Sequence, residues 1–267
     1  HPISVDRATE MAEADTWRKK LKIMRWYSFL GMQRRVSRRL SRIITVSECS
    51  KRDIGEAYSV SPDKFRVVPN GINTDYFYPL PEVRRDEDHL LVTNSADTPL
   101  KGLRYLLEAV AAIRKKRAVR LTVIGEPKPG GPIARLVGRL GLDGAVRFAG
   151  RIAYEDLARY YARAAVAVIP SLYEGFGMPA GEAMACGVPV ISTTGGALPE
   201  VVGDAGVLVP PGDAGALESA IVAHLDDPDR RRRLGGAGLA RVHDSLTWRH
   251  AAQKTVDVYR EAIDAHR

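Results

Sequence analysis

Residues 174–191 read Glu-Gly-Phe-Gly-Met-Pro-Ala-Gly-Glu-Ala-Met-Ala-Cys-Gly-Val-Pro-Val-Ile, with seven residues between the carboxylates of Glu174 and Glu182. The apolar run before them, residues 164–170, reads as a short strand. The small residues from Ala180 to Cys186 read as a helix, stopped by Gly187 and Pro189. Strand, glycine loop and helix in that order present free backbone N–H groups at a helix start, where the dipole favours anionic or hydroxyl-rich ligands. One carboxylate stands at the loop and the other about two turns down the helix. Amides for phosphate or sugar oxygens, with carboxylates for hydroxyls, suit a nucleotide-sugar. The plainer reading is a buried helix whose small residues serve packing only.

The composite pattern Glu-Gly-Phe-Gly-x-Pro-x-x-Glu-Ala-Met-Ala-x-Gly-x-Pro-Val resembles the donor site of family-4 retaining glycosyltransferases. The resemblance implies an α/β fold of GT-B type. Its donor domain is a Rossmann-like doubly wound parallel sheet, accompanied here by a partial amino-terminal Rossmann-like domain. It also implies transfer of a sugar from a nucleotide-sugar donor to an acceptor hydroxyl with retention of configuration, in glycan or glycolipid biosynthesis. The nucleotide-diphosphate sugar is a substrate, and neither cofactor nor metal is expected. The acceptor, whether glycan, lipid-linked or small-molecule, stays open.

The same resemblance assigns roles residue by residue. Glu174 contacts the transferred sugar, with Gly175, Phe176 and Gly177 presenting backbone groups to it, and Glu182 accepts hydrogen bonds from the ribose hydroxyls. Lys101 of Thr98-Pro99-Leu100-Lys101-Gly102 fits the family lysine that steadies the leaving diphosphate, where charge builds up and pre-placed electrostatics count most. The family arginine five residues earlier falls on Ala96, a departure that leaves a non-catalytic nucleotide-sugar binding module as the alternative. Gly150 and Arg151 match the strand end that holds the base, Arg151 as a wall. A histidine near the sugar is implied at an acceptor-domain strand end, a place that His1 takes or neighbours.

The elements that must position these groups alternate regularly. Strands are expected at residues 43–46, 65–68, 90–94, 119–125, 146–149, 188–192 and 207–209. Helices are expected at 47–58, 102–116, 132–141, 154–163, 214–225, 228–242 and 247–265. Apolar strands alternating with helices argue for a parallel sheet covered on both faces. The segments divide into 1–75 as the remnant of an acceptor domain, 76–88 as linker, 89–246 as donor domain and 247–267 as a helix crossing back. The first domain is expected to be incomplete in this chain.

Composition narrows the class. The 267 residues are 27% charged and 45% hydrophobic, a globular balance. Cys49 and Cys186 lie far apart in core-like settings, as reduced thiols would in the cytoplasm. The histidines are scattered without His-x-x-x-His or Cys-His clusters, a pattern unsuited to zinc. No Gly-x-Gly-x-x-Gly follows a first strand, which argues against a dinucleotide-linked dehydrogenase, and a P-loop is absent. The net charge of +8 is uneven, with ten Lys or Arg and no Asp or Glu in residues 17–46. Within it lies Ile23-Met24-Arg25-Trp26-Tyr27-Ser28-Phe29-Leu30. Such a helix either packs Trp26, Phe29 and Leu30 into the core or docks on an anionic membrane surface, which would place the protein at the inner face of the plasma membrane. Nucleic acid is not the expected partner.

Overall fold

The computed structural model describes residues 11–12, 16–94 and 96–265. The chain divides into two compact units, residues 1–69 with 251–267, and residues 70–250.

From residue 16 onward the smaller unit holds α1 (Trp17–Trp26) and α2 (Phe29–Arg39), followed by β1 (Ile43–Thr45), α3 (Glu48–Tyr58) and β2 (Phe65–Val67). β1 and β2 pair in parallel, Ile43 opposite Phe65, and the hydroxyl of Ser47 caps α3 by accepting from the Ser50 N–H. Neither α1 nor α2 buries a residue of its own, and Trp26 is 72% exposed. The packing of Trp26 into a core is therefore not what the structure shows, while Phe29 and Leu30 are half-buried. Residues of α11 (Trp248–Asp264) complete this unit, with Ala251 and Val258 packed on Val68. Glu261 of the same helix accepts from Arg66 Nε at 2.7 Å and from Arg42 Nε at 2.9 Å.

The larger unit is a six-stranded, all-parallel sheet in the order β5-β4-β3-β6-β7-β8. Its elements are β3 (Asp86–Thr93), α4 (Leu103–Arg114), β4 (Arg120–Ile124), α5 (Pro132–Arg139), β5 (Val146–Phe148), α6 (Leu157–Arg163), β6 (Ala164–Ile169), α7 (Met178–Ala185), β7 (Val190–Thr193), α8 (Leu198–Val202), β8 (Val207–Val209), α9 (Ala214–Leu225) and α10 (Pro228–Ser245). Leu106, Leu107, Val110 and Ile113 of α4 pack with Leu121, Val123, Leu217 and Ile221 in the main apolar cluster. α6 and α7 pack against β3, β6 and β7, with α10 against α7. Every residue of β6 is buried, as a central strand covered on both faces requires.

β3 starts at Asp86, inside the stretch read as linker. Asp86 and Asp88 look like loop residues in sequence, yet Arg120 pairs with the first and Arg117 with the second at 2.7 Å, so the strand carries their charge. The helix of small residues is close-packed for a visible reason. A Cβ on Gly181 would lie 2.5 Å from Ile72 Cδ1, and one on Gly235 of α10 would lie 2.4 Å from the Gly187 carbonyl oxygen. Both cysteines are buried and free. Among the described residues, no helix is long and apolar enough to cross a membrane.

The Arg66 hydrogen bond, then Arg42, holds the Glu261 carboxyl at about 2, below its ordinary value of 4.5. A depressed folded-state value stabilises above the ordinary range and is lost as pH falls toward about 2. Thermal melts of Glu261→Gln should therefore differ most from the parent at neutral pH and converge with it near pH 2. A constant difference across that window would show that the carboxylate contributes by packing and not by charge.

Candidate functional site

The strand order places β3 beside β6, from which the connections leave in opposite directions. In open α/β sheets this switch point leaves a crevice at the carboxyl ends of the two strands. The chain brings Lys101 and Glu174 there. After β3, a tight turn (Pro99–Lys101) ends at Gly102, which has φ +65°, and a Cβ at that position would stand 1.9 Å from the Pro170 carbonyl oxygen. The Leu172 N–H donates to the Leu100 carbonyl at 2.7 Å, and Asn94 Nδ2 donates to the Lys101 carbonyl at 2.9 Å. These contacts lock the two loops together. Lys101 Nζ donates to Glu174 Oε1 at 2.8 Å, and Ser171 Oγ donates to the same oxygen at 2.8 Å. The Glu174 side chain is only 12% exposed, so the pair is less screened than a surface ion pair.

A third loop supports Glu174 from below. The Ala197 N–H donates to the Glu174 carbonyl at 2.8 Å, and Glu174 forms a parallel bridge with Gly196. Gly196 has φ +66°, and a Cβ there would lie 2.2 Å from the Glu174 carbonyl oxygen. Gly195 is equally tight, with a Cβ position 2.5 Å from the Leu172 carbonyl oxygen. Thr193 Oγ1 accepts from the Gly195 N–H and donates to the Ser171 carbonyl. Ser171, Thr193 and the Gly195-Gly196 doublet are missing from the sequence reading. The doublet after an apolar strand was the legible signal, since two glycines there mark a close backbone approach.

Gly177 turns the chain into α7 with φ +106°, and the helix runs Met178–Ala185, beginning two residues before the expected start. Phe176 is 6% exposed, so its ring belongs to the core. Glu182 lies inside α7 at 7% exposure. Burial raises its carboxyl pKa, and a hydrogen bond from the Tyr161 hydroxyl at 3.1 Å opposes the rise.

Arg151 is exposed and lines a groove of about 660 Å³ with Arg147, Arg159 and Arg163, to which Lys101, Glu174 and Glu182 contribute nothing. Gly150 turns with φ +67° and bridges Gly125 beside that groove. Ala96 is 3% exposed within the apolar cluster of Leu103 and Ile133. Ala96 also borders a cavity of about 700 Å³ with Asp97, Thr98, Leu103 and Leu172, and its methyl group offers that space no charge. Its neighbour Asp97 accepts from the Lys128 N–H at 2.5 Å, tying the loop after β3 to the loop after β4. His1 lies outside the described residues. Among the described residues, no group of three or more His, Cys, Asp or Glu is arranged to hold a metal ion.

Residues 87–227, more than half of the chain, match the family described as glycosyl transferases group 1. This chain belongs to that family. Residues 11–76 match Glycosyltransferase Family 4. The group 1 chain is 43% identical over 266 residues to the MMP alpha-(1->4)-mannosyltransferase of Mycolicibacterium hassiacum, covering 98% of this chain and 64% of that protein. It is 31% identical over 230 residues to the O-antigen chain mannosyltransferase B of Escherichia coli, covering 82% and 60%. To the D-inositol 3-phosphate glycosyltransferase of Streptomyces coelicolor it is 34% identical over 242 residues, covering 79% and 53%. Among solved structures, sucrose-phosphate synthase from Thermosynechococcus elongatus superposes with a TM-score of 0.78 at 32% identity, over 89% of this chain and 62% of that one. Anabaena Alr3699/HepE in complex with UDP and glucose superposes at 0.76 with 22% identity, over 87% and 67%, a likeness of fold. The fold is thus of GT-B type, and the chain spans between 53% and 64% of the length of these curated relatives.

The glycine contacts make a prediction about stability. Gly196→Ala must both strain a left-handed residue and displace Glu174, a cost of about 2–4 kcal/mol in urea unfolding. Gly141→Ala is the control, with φ +64° and nothing within 4 Å of the added Cβ. It should cost only about 1 kcal/mol. Equal losses at the two positions would mean that the Gly196–Glu174 contact is not a constraint.

Proposed function

We propose that this chain carries the donor half of a retaining, metal-independent glycosyltransferase that uses a nucleotide-diphosphate sugar. The observation that carries the reading is the Lys101–Glu174 pair, held at 2.8 Å across the switch point of a Rossmann-like sheet. Lys101 has N–H donors to spare beyond the one given to Glu174, and these meet the leaving diphosphate. As the anomeric C–O bond breaks, the nucleoside diphosphate leaves with the electron pair, and the ammonium offsets the charge that grows on its β-phosphate. The acceptor oxygen bonds to the same face of the sugar, and its proton passes to the departing phosphate.

Glu174 is held as a hydrogen-bond acceptor for the sugar more than as a nucleophile. Its Oε1 already takes bonds from Lys101 and Ser171, and each lowers the nucleophilicity of a carboxylate. Glu182, one helix further on, accepts from the ribose. Relatives named as mannosyltransferases make a mannosyl residue the first sugar to try. The reaction site is cytoplasmic, and α1 and α2, with Trp17, Trp26 and Met32 exposed among cations, have the composition for an anionic membrane surface. A second reading, a nucleotide-sugar binding module without turnover, is favoured by Ala96, which supplies no cation where the family arginine falls.

Calorimetric titration with UDP, GDP and ADP tests the donor site. One nucleotide should bind, and Glu182→Ala should weaken it about ten-fold or more, equivalent to about 1.4 kcal/mol. Lys101→Met should weaken the diphosphate by a similar factor while leaving the parent nucleoside unaffected. No binding to the folded chain would reject the donor site, and binding without sugar hydrolysis or transfer would select the second reading.

A further inference from the structure

Tyr161 of α6 is 2% exposed and takes no part in the transfer as described. Its ring meets Phe77 edge-on with centroids 6.0 Å apart, and Phe77 meets Tyr154 edge-on at 5.0 Å. Phenylalanine would fill that aromatic cluster without burying a hydroxyl. A buried hydroxyl costs free energy unless it is bonded, so its partners show what it does. The Tyr161 hydroxyl donates to Glu182 Oε2 at 3.1 Å and lies 3.0 Å from Thr93 Oγ1, with the Pro179 carbonyl a longer alternative at 3.4 Å. Tyr161 has one proton to give. With that proton on Glu182, the Thr93 hydroxyl donates into the tyrosine oxygen, and the two aligned O–H groups strengthen each other.

The relay starts at the last residue of β3 and ends in α7, so it ties Glu182 to the strand that forms the switch point. Glu182 Oε2 is occupied by it, and among the described residues the other oxygen accepts no hydrogen bond. A glutamate carboxylate otherwise turns freely about its last torsion. We propose that Tyr161 is a positioning residue that fixes the carboxylate plane of Glu182, so that Oε1 meets the nucleotide ribose and the site prefers ribose to a deoxygenated sugar. The inference rests on Glu182 being the ribose acceptor of the proposed donor site.

The charges around Glu182 agree with this assignment. Burial, then the charge of Glu182, holds the Tyr161 hydroxyl well above the ordinary tyrosine range, so it remains a donor. Burial, then Glu182, also raises Tyr154 and pushes the Cys186 thiol to about 12, so both are neutral at working pH. Burial raises the Glu182 carboxyl, and among the described residues the Tyr161 hydrogen bond is what opposes it. Removing that bond moves the carboxyl further up.

The test titrates wild type and Tyr161→Phe with UDP, GDP and ADP and with their 2′,3′-dideoxy counterparts, between pH 5 and 8. Tyr161→Phe should weaken the ribonucleotide about ten-fold, leave the dideoxy compound unchanged, and move the acid loss of ribonucleotide binding to higher pH. Equal weakening of both compounds, or no change in either, overturns the proposal while leaving the donor site standing. No nucleotide binding by wild type overturns both. Should Tyr161→Phe fail to fold, Thr93→Val removes the outer link of the relay. It should give a smaller loss of the same selectivity, and unaltered selectivity in that variant overturns the proposal.

Discussion

The ion pair between Lys101 and Glu174 joins two loops that belong to opposite halves of the sheet, and everything near the site is arranged so that they can meet. Each loop follows a strand whose neighbour was chosen by the crossover direction, not by closeness in sequence. Backbone contacts do most of the joining. Gly102 lies against the Pro170 carbonyl, Gly196 against the Glu174 carbonyl, and each has φ in the left-handed region with no room for a Cβ. A single ammonium–carboxylate contact of this kind is modest in free energy at a surface. It becomes useful chemistry because three loops hold both groups before any ligand arrives, so reorganisation is small when charge develops.

α7 answers the same constraint in another way. Its glycine and alanines let it approach Ile72 and α10 closely, and the helix is buried almost throughout. Into this apolar element the chain places one carboxylate, Glu182, whose burial raises its pKa and whose one described hydrogen bond comes from Tyr161. A half-satisfied buried carboxylate is costly in a packing element and apt in a binding site, because a ligand hydroxyl supplies what the fold withholds. The packing reading and the site reading of the small-residue helix are therefore not rivals. The small residues bring the helix in, and the glutamate is what they bring.

Much of this was legible. Residues 164–191 announced a strand, a glycine loop and a helix, and the alternation from residue 90 onward announced a parallel sheet covered on both faces, because buried strands are continuously apolar and their helices are periodic. Where boundaries slipped, the cause was an interaction with distant partners. Asp86 and Asp88 resemble loop residues until Arg120 and Arg117 neutralise them. Trp26 resembles a core residue by type, and its exposure follows from what lies beside α1 in three dimensions, which hydrophobicity alone does not encode.

The sequence by itself determined the chemical types at the site, the family pattern that links them and the order of elements, since these depend on local spacing and side-chain chemistry. Only the tertiary structure decided the pairings. It put Lys101 on one oxygen of Glu174 and Tyr161 on one oxygen of Glu182. It turned Ala96 into the apolar core and carried Arg151 to a separate groove. The physical reason is that a contact between residues dozens apart depends on strand order, crossover hand and the closeness of backbone approach, none of which leaves a local mark except the glycines that make the approach possible.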